Sequence, residues 1–147
     1  MAENTGQVLV QGTAVSIAGQ GLLFLGEPGS GKSSLALSLI DRGAQLIGDD
    51  GVAISNDEGT LAASPPPNIA GMLEIRNVGI VELPVTSAPL SLILQLCDDA
   101  PRFVDRAERH EIAGAAVPLL KFRAGDAVQA LRAEMALKLY GLPRTGK

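Results

Sequence analysis

One stretch limits what this chain can fold into more than any other. Gly26-Glu27-Pro28-Gly29-Ser30-Gly31-Lys32-Ser33 fills the pattern G-x-x-x-x-G-K-[ST] at every position. Upstream, Gly21-Leu22-Leu23-Phe24-Leu25 is a short apolar run of the kind a buried strand makes. Downstream, Ser34 to Arg42 reads as a helix closed by Gly43. A phosphate-binding loop needs this strand–loop–helix context. Its glycines let backbone N–H groups close around phosphate oxygens, and the helix N-terminus adds partial positive charge. Lys32 is placed to reach the β- and γ-phosphates, the Ser33 hydroxyl to ligate Mg²⁺, and Ser34 continues the set into the helix. The bland alternative is a glycine-rich turn that imitates the motif, and the full pattern in its full context weighs against it. The stretch therefore predicts binding of a nucleoside triphosphate with Mg²⁺.

Composition narrows the rest. With 147 residues and 46% hydrophobic content the chain suits one domain, residues 1–147, with a real core. Aromatics are only 3%, so that core must be built from Leu, Val, Ile and Ala. Twelve Lys and Arg against sixteen Asp and Glu give a net charge of −4, which argues against a nucleic-acid partner. Cys97 is the only cysteine, so no internal disulfide is possible, and a reducing compartment is expected. Its place at the end of Leu92-Ile93-Leu94-Gln95-Leu96-Cys97 reads as a core thiol rather than a catalytic one. No apolar stretch approaches a membrane span, and Met1-Ala2-Glu3-Asn4 is not a basic signal-peptide start. A soluble cytoplasmic protein is the expectation.

The chain in order is strand-rich. Val8 to Gln11 and Thr13 to Ile17 are β-prone and split by Gly12, with a turn at Ala18 to Gly21 before the phosphate-loop strand. After the helix, Ala44 to Gly48 is a strand ending on Asp49-Asp50, and Gly51 to Ser55 continues extended. Asn56-Asp57-Glu58-Gly59 is a hairpin turn into Thr60 to Ala63, and Ser64-Pro65-Pro66-Pro67-Asn68 is a surface loop. Met72 to Arg76 and Val78 to Leu83 flank Asn77, and Ser91 to Cys97 is a buried strand. Asp98 to Arg109, broken by Pro101, predicts a loop with a short helical turn, and Val117 to Arg123 a further strand. Asp126 to Tyr140 has helical periodicity, with an apolar stripe at Val128, Leu131, Met135 and Leu139 beside Ala127, Ala130 and Leu137. Two helices are too few for alternating strands and helices on a parallel sheet. The fold class is α/β and P-loop-containing, with a mixed or antiparallel sheet and few helices.

Phosphoryl transfer also needs Mg²⁺ ligands and a group that manages the proton of the attacking hydroxyl. Two carboxylate pairs offer themselves. Asp49-Asp50 ends the strand just after the phosphate-loop helix. Asp98-Asp99 ends an apolar strand, as a Walker B acid does. Either pair could also be an ordinary turn signal.

The pattern as a whole decides between them. Leu46-Ile47-Gly48-Asp49-Asp50 one helix after the phosphate loop, followed by Leu73-Glu74-Ile75-Arg76-Asn77-Val78-Gly79-Ile80, resembles the catalytic domain of HPr kinase/phosphorylase, from about Val8 to about Leu142. It is most similar to short forms without an N-terminal regulatory domain. The resemblance implies a fold like that of phosphoenolpyruvate carboxykinase and an ATP- and Mg²⁺-dependent serine kinase. Its implied substrate is the phosphocarrier HPr of a phosphotransferase system. Reverse phosphorolysis and a homo-oligomer, a hexamer, are implied as well. Carried over residue by residue, Lys32 matches the phosphate-loop lysine, Ser33 and Glu74 the metal ligands, Asp50 the general base and Asp49 its polar neighbour. Alone, Glu74 would read as a solvent-facing strand position.

Three positions depart from the family pattern. A histidine expected before the phosphate loop falls on Gln11, which cannot take a proton. An arginine expected in a C-terminal catalytic loop falls on Asp126, with Arg123 nearby, and an acidic residue expected after Ser33 is Ser34. The one histidine, His110, sits among charges and reads as surface. These losses leave nucleotide binding intact and bear on turnover. Two other functions therefore stand beside the kinase. One is a catalytically impaired nucleotide-binding sensor module. The other is a small-molecule P-loop kinase or NTPase using Asp98.

Overall fold

The computed structural model describes residues 7–67 and 71–143, so Asn68 of the expected surface loop lies outside the described residues. The phosphate-loop strand is β3 (Gln20–Leu25), and its antiparallel hairpin partner is β2 (Thr13–Ile17). On its other side lies β9 (Ala88–Leu96), parallel to it, and beyond β9 comes β11 (Ala115–Phe122), parallel again. β4 (Gln45–Gly48) runs antiparallel to β2, and therefore in the same direction as β3. Four strands thus end on one edge. From that edge leave the phosphate loop, the Asp49-Asp50 pair, the Asp98-Asp99 pair and the Arg123–Asp126 loop.

β1 (Val8–Val10), β5 (Val52–Asp57) and β6 (Thr60–Ser64) extend the sheet antiparallel from the first residues of β9. β9 joins the two halves through a bulge. Gly21 pairs with Leu90 but Leu22 with Leu92, so Ser91 is the extra residue. The bulge changes which face each side chain takes. Leu92, Leu94 and Leu96 enter one core with Leu22, Phe24 and the helices, whereas Leu90 and Ile93 enter a second core with Ile54, Leu61 and Val117. The aliphatic core that the composition demanded is present on both faces. A mixed sheet with two helices is what the strand-rich pattern predicted.

Helix α1 (Lys32–Asp41) buries Leu35, Ala36 and Leu39. Helix α2 (Gln129–Tyr140) packs beside it on the same core. Here one expectation is overturned. Val128, Leu131, Met135 and Leu139 are 51, 42, 52 and 72% exposed, and the buried face is Gln129, Ala130, Ala133, Ala136 and Leu137. Small side chains let α2 approach α1 and the sheet closely, and close packing outweighs the larger residues on the opposite face.

The buried Gln129 (7% exposed) makes the link between the helices specific. Its side-chain amide donates to the Ser38 hydroxyl of α1 at 2.9 Å, and its carbonyl oxygen accepts from the Gly125 N–H at 2.8 Å. Arg42 adds a 2.8 Å ion pair to Glu134 at the surface. Gln129→Leu keeps the volume but leaves the Gly125 N–H without that partner. The expected loss is about 1–3 kcal/mol, measured by urea unfolding.

A second expectation also needs correction. Residues 98–107 run as turns and bends rather than a helical turn, and Glu108 and Arg109 already belong to β10 (Glu108–Ile112), an edge strand on β11. His110 sits half-exposed within it. Charged edge strands resist pairing with other chains, and that is why this strand carries no alternating apolar signal. A small separate hairpin, β7 (Met72–Ile75) and β8 (Gly79–Glu82), is anchored by the fully buried Leu73 and packs against α1.

Candidate active site

The phosphate loop leaves β3 at Gly26, and no other residue fits there. Its φ is +156°, and a Cβ would come within 2.6 Å of the Ser30 hydroxyl and 3.1 Å of the Leu96 carbonyl. The loop closes through Ser30 N–H to Glu27 O at 3.0 Å, and α1 begins with Leu35 N–H to Gly31 O at 2.9 Å. The helix start has neither a capping side chain nor an acidic residue in its first turn. Its partial positive charge is therefore left for an anion. The Lys32 ammonium arches over the loop, donating to the Gly26 and Glu27 carbonyls at 2.8 and 3.1 Å.

The loop opens into a cleft of about 920 Å³. Pro28, Gly29, Gly31, Lys32, Ser33, Ser34 and Leu37 form one wall, and Thr13, Asp49 and Asp50 form the floor. The β7–β8 turn, from Glu74 through Ile75, Arg76, Asn77 and Val78 to Gly79, forms the other wall. Gly26, Glu27 and Ser30 shape the stem of the loop and do not line the cleft.

Asp49 is the hub. Its Oδ1 accepts from the Ser33 hydroxyl at 2.7 Å and from the Thr13 hydroxyl at 2.9 Å, while Oδ2 lies 3.5 Å from the Glu74 N–H. Asp50 beside it is exposed, with a left-handed backbone (φ 63°) that an aspartate tolerates. The turn carrying both begins at Gly48, where a Cβ would overlap the Gly51 carbonyl oxygen. The sequence-derived residues Lys32, Ser33, Ser34, Asp49, Asp50 and Glu74 therefore meet in one cleft. Two contributors were not among them. Thr13 carries no motif, and Arg76 lay inside a recognised run without an assigned role. Arg76 brings a second cation to a cleft that holds Lys32 and three carboxylates.

Other candidates lie elsewhere. Asp98 and Asp99 leave β9 exposed and do not line the cleft, and Ser33 turns to Asp49 rather than to Asp98. The Cys97 thiol is half-buried, and burial, followed by its hydrogen bond to Asp99, pushes its pKa up. It stays protonated at neutral pH and is a poor nucleophile. Gln11 is exposed on the bend joining β1 and β2. Asp126 accepts from the Val128 N–H at 3.0 Å and pairs with Arg132 at 3.1 Å, so its carboxylate is used locally at the start of α2. The loop it belongs to still abuts the site, because a Cβ on Gly31 would meet Ala124 at 3.5 Å.

The donors fit a magnesium ion. Ser33, Asp49 and Glu74 all line the cleft and carry hard oxygen donors, a hydroxyl and two carboxylates. Among the described residues no group of three or more His, Cys, Asp or Glu forms a cage. Magnesium is ordinarily held by one or two carboxylates together with phosphate oxygens.

Comparison with known proteins gives a consistent answer. The family "HPr Serine kinase C-terminal domain" matches residues 2–87, the part that contains the whole cleft. An HPr kinase/phosphorylase of Clostridium botulinum (strain Eklund 17B / Type B) is 47% identical over 74 residues, covering 50% of this chain and 24% of that protein. One from Thermoanaerobacter sp. (strain X514) is 38% identical over 110 residues, covering 68% of this chain and 36% of the relative. The chain spans about a quarter to a third of the length of these curated relatives. The solved structure of the Hpr(Ser) kinase/phosphatase from Coxiella burnetii superposes with a TM-score of 0.77 at 27% identity, covering 89% of each chain. That likeness extends past residue 87 into the half that the family match leaves out. Among the described residues no helix is long and apolar enough to cross a membrane.

Proposed function

The chain belongs to the HPr serine kinase C-terminal domain family, and from that premise we propose that it is an ATP- and Mg²⁺-dependent kinase that phosphorylates a serine of an HPr-like phosphocarrier. The observation that carries this reading is the 2.7 Å hydrogen bond from Ser33 to Asp49, in a cleft that also holds Lys32, Asp50 and Glu74. In P-loop enzymes the Mg²⁺ sits between the loop hydroxyl and an acid delivered by a nearby strand. Here Asp49 stands at that place and holds the loop hydroxyl by its hydrogen bond, brought there by the antiparallel step through β2 rather than by a directly adjacent parallel strand.

The roles follow from placement. The loop N–H groups and Lys32 hold the β- and γ-phosphates, and Ser33 and Glu74 are the side chains that would hold the metal. When bound, Mg²⁺ supplies neutralisation of the charge on the β- and γ-oxygens. Asp50, with no hydrogen bond or ion pair to other described residues, faces the cleft and takes the proton of the attacking serine hydroxyl. The serine oxygen bonds to the γ-phosphorus as the bond to the β–γ bridging oxygen breaks, and ADP leaves. Phosphorolysis runs through the same cleft: inorganic phosphate attacks phosphoserine, pyrophosphate forms, and Asp50 returns the proton. Cytoplasmic location and assembly as a homo-oligomer belong to the same reading, and sedimentation measures the second.

The test is incubation of the purified chain with HPr, Mg²⁺ and γ-labelled ATP. Label on a carrier serine supports the kinase. Nucleotide binding without transfer instead supports the sensor reading, which Gln11 and the locally occupied Asp126 favour.

A further inference from the structure

We infer that Thr13 is a positioning residue for the metal side of this site, acting through Asp49. The inference rests on the kinase reading above and deepens it. Thr13 is 1% exposed, so its hydroxyl is withdrawn from solvent and directed at one acceptor, Asp49 Oδ1. That same oxygen takes the Ser33 hydroxyl, the group that would ligate Mg²⁺. One carboxylate oxygen therefore holds two hydroxyls, one from β2 and one from α1. Without Thr13, Asp49 is tied only to Ser33 and, loosely, to the Glu74 N–H. Both of those partners face the cleft and must adjust when a metal ion and nucleotide enter.

The sheet is built to make this contact. β2 pairs with β4 as Ser16 to Gln45 and Val15 to Leu46, but then Ala14 pairs with Gly48. Ile47 is the extra residue of a bulge. Extending the shifted register by one step sets Thr13 opposite Asp49, whereas the unshifted register would set it opposite Gly48. Bulges re-aim side chains near functional sites, and this one swaps a glycine for a carboxylate. Across the other side of β2, Thr13 pairs with Phe24, two residues before the phosphate loop. Thr13 thus ties the acid to the strand that launches the loop. A β-branched side chain is suited to the task because its χ1 is stiff.

The test compares Thr13→Val, which keeps the shape and loses the hydroxyl, with Thr13→Ser, which keeps the hydroxyl. Mn²⁺ binding in the presence of ADP, followed by electron paramagnetic resonance, is the readout, with the Mg²⁺ dependence of transfer alongside. Thr13→Val is expected to weaken Mn²⁺ binding about 10-fold, the scale seen when an outer partner of a metal site is removed, and to leave ADP affinity without metal unchanged. Thr13→Ser is expected to restore binding to within about twofold of the parent. If the valine variant does not fold, Thr13→Ala against Thr13→Ser makes the same comparison. Equal Mn²⁺ affinity in the parent and the hydroxyl-free variant overturns the inference. So does an equal loss in the serine variant, since packing rather than the hydroxyl would then be responsible. A parent chain that binds ADP but no Mn²⁺ overturns the kinase reading itself, and this inference with it.

Discussion

Lys32→Met is expected to lower phosphoryl transfer by about 10²–10³-fold, the scale for deleting one pre-aimed donor from a charge-stabilising site. Phosphoryl transfer passes through a loose transition state in which charge spreads over the transferred group. Positioning and charge neutralisation therefore carry most of the catalysis, and Lys32 is the cation of the loop itself. Its Nζ already lies 2.8 and 3.1 Å from the Gly26 and Glu27 carbonyls, so the ammonium is held over the loop with little ordering left to do. Methionine matches its length without the charge. Loss of those two exposed or half-exposed hydrogen bonds, at about 0.5–1.5 kcal/mol each, should cost about 1–3 kcal/mol of stability, so the variant stays folded. Steady-state kinetics on the labelled carrier, with thermal unfolding as the control, measures both. An unimpaired rate would show that the transferred group does not pass over this loop.

Asp50→Asn is expected to be as damaging in kcat, by about 10²–10⁴-fold, with Mn²⁺ and nucleotide affinities nearly unchanged. Asparagine is suited to the left-handed backbone at this position (φ 63°), so the turn survives and only the proton acceptor is lost. Asp49→Asn should behave differently. Its carboxylate is already committed to Ser33 and Thr13, so its loss should appear first as a raised Mg²⁺ requirement. The two adjacent acids are thus separable by experiment: one variant fails at saturating metal, and the other recovers as metal is added. Full activity in Asp50→Asn would move the proton acceptor elsewhere and remove the distinction between the pair.

The departures from the family pattern also take on physical meaning. Asp126 does not face the cleft as a free acid, because its two oxygens serve the Val128 N–H and Arg132. It organises the start of α2, and Gln129 then holds the loop's Gly125 while reaching back to α1. The loop before α2 is therefore fixed next to Gly31 whatever its own chemistry. Gln11 lies on an exposed bend, outside the residues that line the cleft.

What the chain reveals without coordinates is local. The phosphate loop is a run of neighbours whose glycines and helix start do their chemistry within a few residues, so spacing alone identifies it. Asp49, Asp50 and Glu74 were singled out only through the family resemblance: spacing by itself left the Asp49-Asp50 pair open against Asp98-Asp99, and Glu74 alone reads as a solvent-facing strand position. The scarcity of helices correctly excluded an alternating parallel architecture. Where sequence reasoning failed, the deciding interaction was not local. Leu131, Met135 and Leu139 of α2 point outward because alanines let two helices close against each other, a choice settled by the neighbour and not by the helix. The charged strand β10 exists because β11 offers it a ladder. Thr13 reaches Asp49 across 36 residues only because one bulged residue, Ile47, shifts a register by one and exchanges which side chains face each other. Side chains alternate along a strand, so a shift of a single position decides which groups meet in the cleft, and no pattern within either strand records it.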